Sequence, residues 1–401
     1  DIVIENGKIL SIGGTADTEG AEVYDANGLF VAPGLIDMHV HLREPGQEAK
    51  EDIHTGTQAA GAGGITRVAT MANTKPVIDN AAVFRDVLRR VDECGVVKVS
   101  VIGALSKNLE GKQLSEMGDM AAEGAAAFSD DGHYVESANF MRRAMEYADM
   151  LHKMVIDHAE DATMCSGGFM NEGKVSYAMG VTGRPAAGED IAVARDLLLS
   201  EMTGCHIHIA HVSSAKAVEL IREAKAKHVN CTTEVTSQHL YFTDEWLKNY
   251  ESSFKMAPPI RTEDDRKALV EGLKDGTIDA IATDHAPHSE EDKLKGMAGM
   301  VGSETAFGVC YTKLCKEEGL PLELLSHLMS TRPAEILGLA KGQLEPGYDA
   351  DFVLVDLDTP YTVDKNKLHS KSHNCPFDGA QLYGRVCATV KGGELTYQAE
   401  E

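Results

Sequence analysis

Residues Gly34–Gly46 read "GLIDMHVHLREPG": an apolar run that ends in two histidines two positions apart, followed by an arginine, a glutamate and a Pro-Gly turn. In a β-strand, residues i and i+2 face the same side, so His39 and His41 project together from the end of such a strand. Packing alone gives no reason to end a buried strand in two converging imidazoles. The pair marks a site, and the question becomes what fold presents it.

Working outward, runs of strand length recur along the chain, each followed by a polar or glycine-containing loop and then a helical pattern. They are "LIDMHVH", "TRVATMAN", "VKVSVIGAL", "AAAFSDD", "HKMVIDHAE", "CHIHIAHVS", "VNCTTEVT" and "IDAIATDH". Between them, "NAAVFRDVLRRVDECG", "SAKAVELIREAKAKH" and "TEDDRKALVEGLKDG" carry apolar residues at three- and four-residue steps and end near Gly or His. Eight strand-then-helix units predict an α/β fold, a closed (β/α)8 TIM barrel over residues 34–341. The chain ends differ: "DIVIENGKILSIGG", "AEVYDANGLFVAPG", "ADFVLVDLD" and "GRVCATVKGGELTYQ" alternate as half-exposed strands do. They predict a small, discontinuous, sandwich-like β domain from residues 1–33 and 342–401 that flanks the barrel.

The 401 residues, 43% of them hydrophobic, suffice for such a core. A formal net charge of −25 gives the wrong sign of field for nonspecific binding to nucleic acid or an anionic membrane, so an anionic substrate needs a locally placed cation. The eight cysteines are scattered without a CxxC pair, which argues against a zinc ribbon or disulfide framework and predicts a reducing, cytoplasmic setting. There is no apolar run of about 18 residues, and "DIVIENGKIL" has an early glutamate where a secretory leader has a basic region.

In TIM barrels the C-terminal ends of the strands build the active site. Here they carry His39 and His41, then Asp130 and Asp131 (strand four), His158 (five), His211 (six), and Asp284 with His285 and His288 (eight). Any one of these is ordinary as a satisfied loop residue, as are His206 and His208 earlier on strand six. Nitrogen and carboxylate donors from five strands at one rim are the donor set of Zn²⁺ or a similar ion. Four histidines and two aspartates exceed one tetrahedral zinc, so two metals sharing a bridging carboxylate and a hydroxide nucleophile are the economical reading. Of Asp130 and Asp131, adjacent in a strand, only one faces inward, and alternation alone does not say which.

These motifs resemble a known family. "HVHLREPG", "NTKP", "FSDDG", "DHAED", "HIAHVSS", "EVTSQHL", "ATDHAPH", "GSETAF" and "GQLEPGYDADFVLVD" occur in the order seen in the amidohydrolase superfamily, and most closely resemble bacterial dihydroorotases of the first class. The resemblance spans nearly the whole chain. It implies a zinc-dependent cyclic amide hydrolase that interconverts N-carbamoyl-L-aspartate and L-dihydroorotate in pyrimidine biosynthesis. It further implies two zinc ions per chain, with His39, His41 and Asp284 on the first, His158 and His211 on the second, Asp131 bridging, and Asp284 as proton shuttle. Arg43, Asn73 and His288 are the residues it assigns to the substrate carboxylate, with His41, Ala257, Ala298 and Gly299 as further contacts. A guanidinium suits that role, because its planar fork matches a carboxylate in two parallel hydrogen bonds; the plain alternative for Arg43 is an ion pair with Glu44.

Related hydantoinases, dihydropyrimidinases and allantoinases usually bridge their metals with a carboxylated lysine at the end of strand four, where this chain reads "AAAFSDDG". Two further departures stand out: Ala257 replaces a common asparagine, and the loop from His288 to Gly299 is short, with "GMAG" in place of Pro-Phe-Gly. The resemblance also leads us to expect a homodimer, and aspartate transcarbamoylase as a possible partner. Competing readings are another cyclic amidase of the allantoinase or hydantoinase type, and an inactive homologue serving as scaffold for that transcarbamoylase.

Overall fold

The computed structural model describes every residue except Asn249, Lys341 and Glu401. Eight parallel strands form the barrel: β1 (Leu35–Val40), β2 (Ile65–Thr70), β3 (Lys98–Val101), β4 (Phe128–Ser129), β5 (Val155–Asp157), β6 (Ile207–Ile209), β7 (Cys231–Thr236) and β8 (Ala280–Ala282). Two parallel bridges, Gly103 with Phe128 and Val40 with His285, complete the ring between β3 and β4 and between β8 and β1. Closure removes both sheet edges, so every strand is paired on two sides.

The helices form where the sequence supplies a start signal. Asn80 caps Ala81–Cys94 by accepting from the Ala82 and Val83 amides, and Ser214 caps Ala215–Ala226 through the Ala217 amide. Thr262 and Asp265 form a reciprocal capping box at the head of Glu263–Lys274. Their apolar faces pack on the outside of the strands in one continuous core that includes Val68, Phe84, Phe128, Ile207, Ile221 and Leu269. A second cluster takes Met38, Ala69, Ile102, Ala127, Ile156, Ala210 and Ala280 from strands around the whole ring, and so fills the barrel interior. The floor below the strand ends is therefore largely apolar.

Both chain ends build the flanking β unit. Phe30–Pro33 pairs antiparallel with Phe352–Asp356, which pairs with Arg385–Lys391, which in turn pairs with Glu394–Gln398. Ile2–Glu5 and Lys8–Ile12 form a separate hairpin, turned by Asn6 (φ 51°) and Gly7 (φ 76°). That hairpin joins the C-terminal segment through Ile9 N to Tyr348 O at 2.9 Å and Gly347 N to Ile9 O at 2.8 Å. Within the expected strand "AEVYDANGLFVAPG", only Phe30–Pro33 is extended and paired. Before it, the Asp25 carboxylate accepts from the Asn27 amide at 2.9 Å and turns the chain, and Val23 and Tyr24 stay exposed. The expected barrel end at Lys341 lies outside the described residues.

Candidate active site

Asp131, just past β4, is 2% exposed and stands between two pairs of imidazoles. Its Oδ2 lies 3.3 Å from His39 Nε2 and 3.4 Å from His41 Nε2. Its Oδ1 lies 3.5 Å from His211 Nε2 and 3.8 Å from His158 Nδ1. Asp284 reaches the first pair only, with Oδ1 at 3.1 Å from His41 Nε2 and 3.6 Å from His39 Nε2. The structure thus brings together all six residues of the expected ligand set, in two groups that share one carboxylate. Asp130 points away: its carboxylate accepts from the Leu105 and Ser106 amides at 2.8 and 2.9 Å and from the Ser106 hydroxyl.

The donor set fits a divalent cation. Ligand atoms of His39, His41 and Asp284, and of His39, Asp131 and His211, lie within 4.8 Å of one another. His39 Nε2 and Asp131 Oδ1 are buried without a hydrogen-bond partner, a costly state that coordination would relieve. Burial alone would raise the Asp131 pKa, but His39, His211 and His41 hold it well below the usual carboxylate range. Burial likewise opposes charge on His39, yet Asp131, Glu234 and Asp284 push its pKa well up. The cluster calls for positive charge, which a divalent cation at this rim would supply.

Second partners orient these ligands. His39 Nδ1 donates to Glu234 Oε1 on β7 at 2.7 Å, which turns Nε2 toward the cluster. Glu234 Oε2 lies 3.2 Å from His208 Nε2, so His208 serves this network and is more than an ordinary strand residue. His41 Nδ1 donates to Asn73 Oδ1 at 2.9 Å. His158 turns Nε2 to Glu160 Oε2 at 3.5 Å, and Arg184 donates to the same carboxylate. His285 faces elsewhere: its Nδ1 accepts from the Gly302 amide at 3.2 Å, and its Nε2 lies 3.4 Å from Glu51. The backbone takes positive φ at three residues of the site, Arg43 (64°), His211 (34°) and Asp284 (45°). For non-glycine residues that conformation costs about 1–3 kcal/mol each and needs a rigid surround.

Beside the carboxylate cluster stands a cation. Arg43 is 7% exposed and has no carboxylate partner among the described residues. Its Nε donates to Pro287 O at 3.2 Å and its Nη2 to His288 Nε2 at 3.3 Å. Glu44 is instead taken by Arg90 and the Ile53 amide, so the ion pair between neighbours does not form. Burial lowers the Arg43 pKa to about 10, which leaves it charged at neutral pH. Burial and the positive Arg43, Lys50 and Lys293 lower His288 to about 3, so its imidazole is neutral and accepts from Arg43. The His288 amide donates to Asn374 Oδ1 at 3.2 Å. Gly299 presses against this imidazole: a Cβ on it would sit 2.7 Å from His288 Cδ2. Ala257 and Ala298 are half-buried, on the segments leading into and out of this loop region.

Sequence reading missed Glu234, Glu160, Asn374 and Lys293. Glu234 was detectable as an ionisable residue in the middle of a barrel strand. Asn374 was not, because it arrives from the far end of the chain, and Lys293 hides in "SEEDKLKG", which reads as a solvated charged turn.

Comparison with known proteins agrees with this geometry. A family model described as dihydro-orotase-like matches residues 28–217, and one described as amidohydrolase family matches residues 192–397. The chain is 50% identical to a dihydroorotase of Pelotomaculum thermopropionicum, over 99% of this chain and 94% of that one. It is 47% identical to a dihydroorotase of Geobacter metallireducens, over 99% and 95%. Among solved structures it resembles the L-hydantoinase (dihydropyrimidinase) of Arthrobacter aurescens, with a TM-score of 0.90 at 27% identity, over 100% of this chain and 92% of that one. A D-hydantoinase from Thermus sp. shares the fold at a TM-score of 0.87 and 24% identity, over 100% and 93%. With its barrel, its His/Asp cluster and full-length relatives of this kind, the chain belongs to the dihydroorotases of the amidohydrolase superfamily.

Proposed function

We propose that this chain is a zinc-dependent dihydroorotase that opens L-dihydroorotate to N-carbamoyl-L-aspartate and closes it again, through two metal ions per chain. The observation that carries the reading is the pairing of a carboxylate shared by four histidines with an adjacent buried guanidinium that has no acid of its own among the described residues. In this reading His39, His41 and Asp284 would hold one ion and His158 and His211 the other, with Asp131 as the ligand common to both. Bound zinc supplies Lewis-acid polarisation and lowers the pKa of a water to near neutrality.

The chain's own groups do the rest. Arg43 binds the substrate carboxylate, which fixes the ring with its amide toward Asp284; Asn73 and His288 complete that anion site, and Ala257, Ala298 and Gly299 line it. Against the opposing effect of burial, the hydrogen bond from His41 and the charges of His39, His41 and His211 keep the Asp284 pKa low, so Asp284 starts as a base. It takes the proton of the attacking water and passes it to the amide nitrogen as that bond breaks; ring closure runs the same transfers backwards. The fold likeness to a hydantoinase (dihydropyrimidinase) favours one alternative, a neutral cyclic amide as substrate. The buried Arg43, which has no carboxylate partner among the described residues, argues against it.

The test is metal analysis of the purified protein beside hydrolysis assays on dihydroorotate, dihydrouracil and hydantoin. We expect metal-dependent turnover of dihydroorotate, lost to chelators and restored by Zn²⁺. A preference for dihydrouracil would overturn the assignment, and full activity without metal would overturn the mechanism.

We further propose that residues 1–33 and 342–401 form a domain distinct from the barrel, and that the chain is a cytoplasmic homodimer able to associate with aspartate transcarbamoylase. Eight cysteines, all unpaired, support a reducing compartment, and no described helix is long and apolar enough to cross a membrane. Light scattering with and without the transcarbamoylase checks the assembly.

A further inference from the structure

We infer that Lys293 is a positioning residue that locks the anion-binding edge of the site, its ammonium clamping three backbone carbonyls so that Gly299 stays pressed against His288. The inference rests on the dihydroorotase reading above.

Lys293 lies on the short helix Glu290–Leu294, next to Asp292, and is only 6% exposed. Its Nζ donates to Lys255 O at 3.0 Å, Met297 O at 3.1 Å and Gly299 O at 2.8 Å. No carboxylate pairs with it among the described residues. A buried lysine without an acid is costly, and most such lysines are avoided or paired. Three carbonyls converging on one nitrogen require three N–H donors, which the ammonium has and the neutral amine does not.

The clamp ties together two segments that otherwise meet through a single backbone hydrogen bond here. One is the stretch through Lys255 that leads to Ala257; the other is the end of the loop after His288. Gly299 N also donates to Lys255 O at 3.0 Å, and Asn374 Nδ2 reaches Gly299 O at 3.1 Å. Gly299 adopts φ +141° and packs its backbone on the His288 ring, where a side chain would collide with His288 and with Ala286 O. His288 in turn meets Arg43. The contacts therefore run Lys293 to Gly299 to His288 to Arg43, from a buried charge to the group that would grip the substrate.

The clamp is also proton-dependent. Burial and the neighbouring Lys255 push the Lys293 pKa down to about 7. The other charges around this loop are Arg43, Lys50 and Asp292, with Asp292 Oδ2 turned to Lys50 at 3.4 Å and the neutral His288 beside them. Below about 7 the ammonium holds all three carbonyls; above it, one is released and the loop loosens. Affinity for the anion then falls as pH rises, in a step separate from the proton transfers at Asp284.

Kinetics and hydrogen exchange on metal-loaded wild type, Lys293→Met and Lys293→Arg test this. Lys293→Met should raise KM for dihydroorotate by about 10-fold at pH 6, with kcat and metal content within about 2-fold of wild type. Wild-type KM should rise between pH 6 and 8.5, and Lys293→Arg, which keeps its charge, should flatten that rise. Amides of residues 294–300 should lose protection, relative to intrinsic exchange, in Lys293→Met and in wild type at the higher pH. An unchanged KM in Lys293→Met, or a loss confined to kcat or metal content, would overturn the role. If wild type does not turn over dihydroorotate the reaction reading fails, while exchange in 294–300 still decides the clamp: pH-independent protection there overturns it, whether or not the variants fold.

Discussion

Asp131 and Arg43 are both buried at the barrel rim, and both meet partners from distant parts of the chain, yet they are held in opposite ways. Asp131 sits among ligands that leave strand ends directly, three of them oriented by a second residue: His39 by Glu234, His41 by Asn73 and His158 by Glu160. Arg43 is held by loops: Pro287 O, His288 and, behind them, Gly299, Asn374 and Lys293. Hydrogen-bonded strands position the charge-dense half. The anion-binding half depends on a few polar ties between segments that have no ladder of their own. The first half suits chemistry that tolerates little displacement, and the second suits a ligand that must enter and leave.

Substitutions in the two halves should therefore fail differently. The largest effect is expected at the shared carboxylate. Asp131→Ala should empty both metal positions and take turnover to background, measured by elemental analysis and assay of one sample. Asp130→Ala should keep its metal and lose about 1–3 kcal/mol of stability, because the Leu105 and Ser106 amides lose their acceptor. Metal contents that came out reversed would move the bridge to Asp130.

Next comes Asp284→Asn, which retains an oxygen but cannot take a proton. With metal content checked, kcat should drop about 10²–10⁴-fold in both directions. In wild type, ring closure should favour acid and hydrolysis base, since closure needs Asp284 to bring a proton and hydrolysis needs it to accept one. Near-normal turnover of a fully metallated variant would make Asp284 a ligand only.

In the loop half, Arg43→Met should cost about 1.5–3 kcal/mol, roughly 10- to 150-fold in kcat/KM, and leave metal binding intact. A parallel loss of metal would mean that the halves are not separable. The smallest effect, and the one that sharpens the contrast most, belongs to Glu234→Gln. It frees the His39 tautomer and should weaken metal affinity about 10–100-fold, with kcat near normal at saturating zinc. An unchanged affinity would show that β7 contributes packing only.

Much of this was legible in the residues themselves. Period-two placement put His39 and His41 on one side of a strand, and the alternation of strand-length and helical patterns counted out the eight units of the barrel. Those are local properties, set by backbone geometry within a few residues. The strand ends gave the donors at the rim, and the motif order added the family and with it the division of those donors between two metals. The first strand of the flanking sheet was overextended, because alternation in residues 21–29 is overridden by the Asx turn at Asp25.

What the sequence by itself determined is thus which residue types stand at the ends of which strands. Tertiary structure decided which of them meet. Adjacent carboxylates at 130 and 131 are equivalent in the sequence; closure of the ring turns one to four histidines and leaves the other to cap a loop. Lys293 reads as one charge in an acidic turn until folding surrounds it with carbonyls from two segments. The reason is physical: strand and helix periods are short-range and survive in any window of sequence. Burial, partner choice and local field are set by residues up to hundreds of positions away, brought near only once the barrel closes and both chain ends pack beside it.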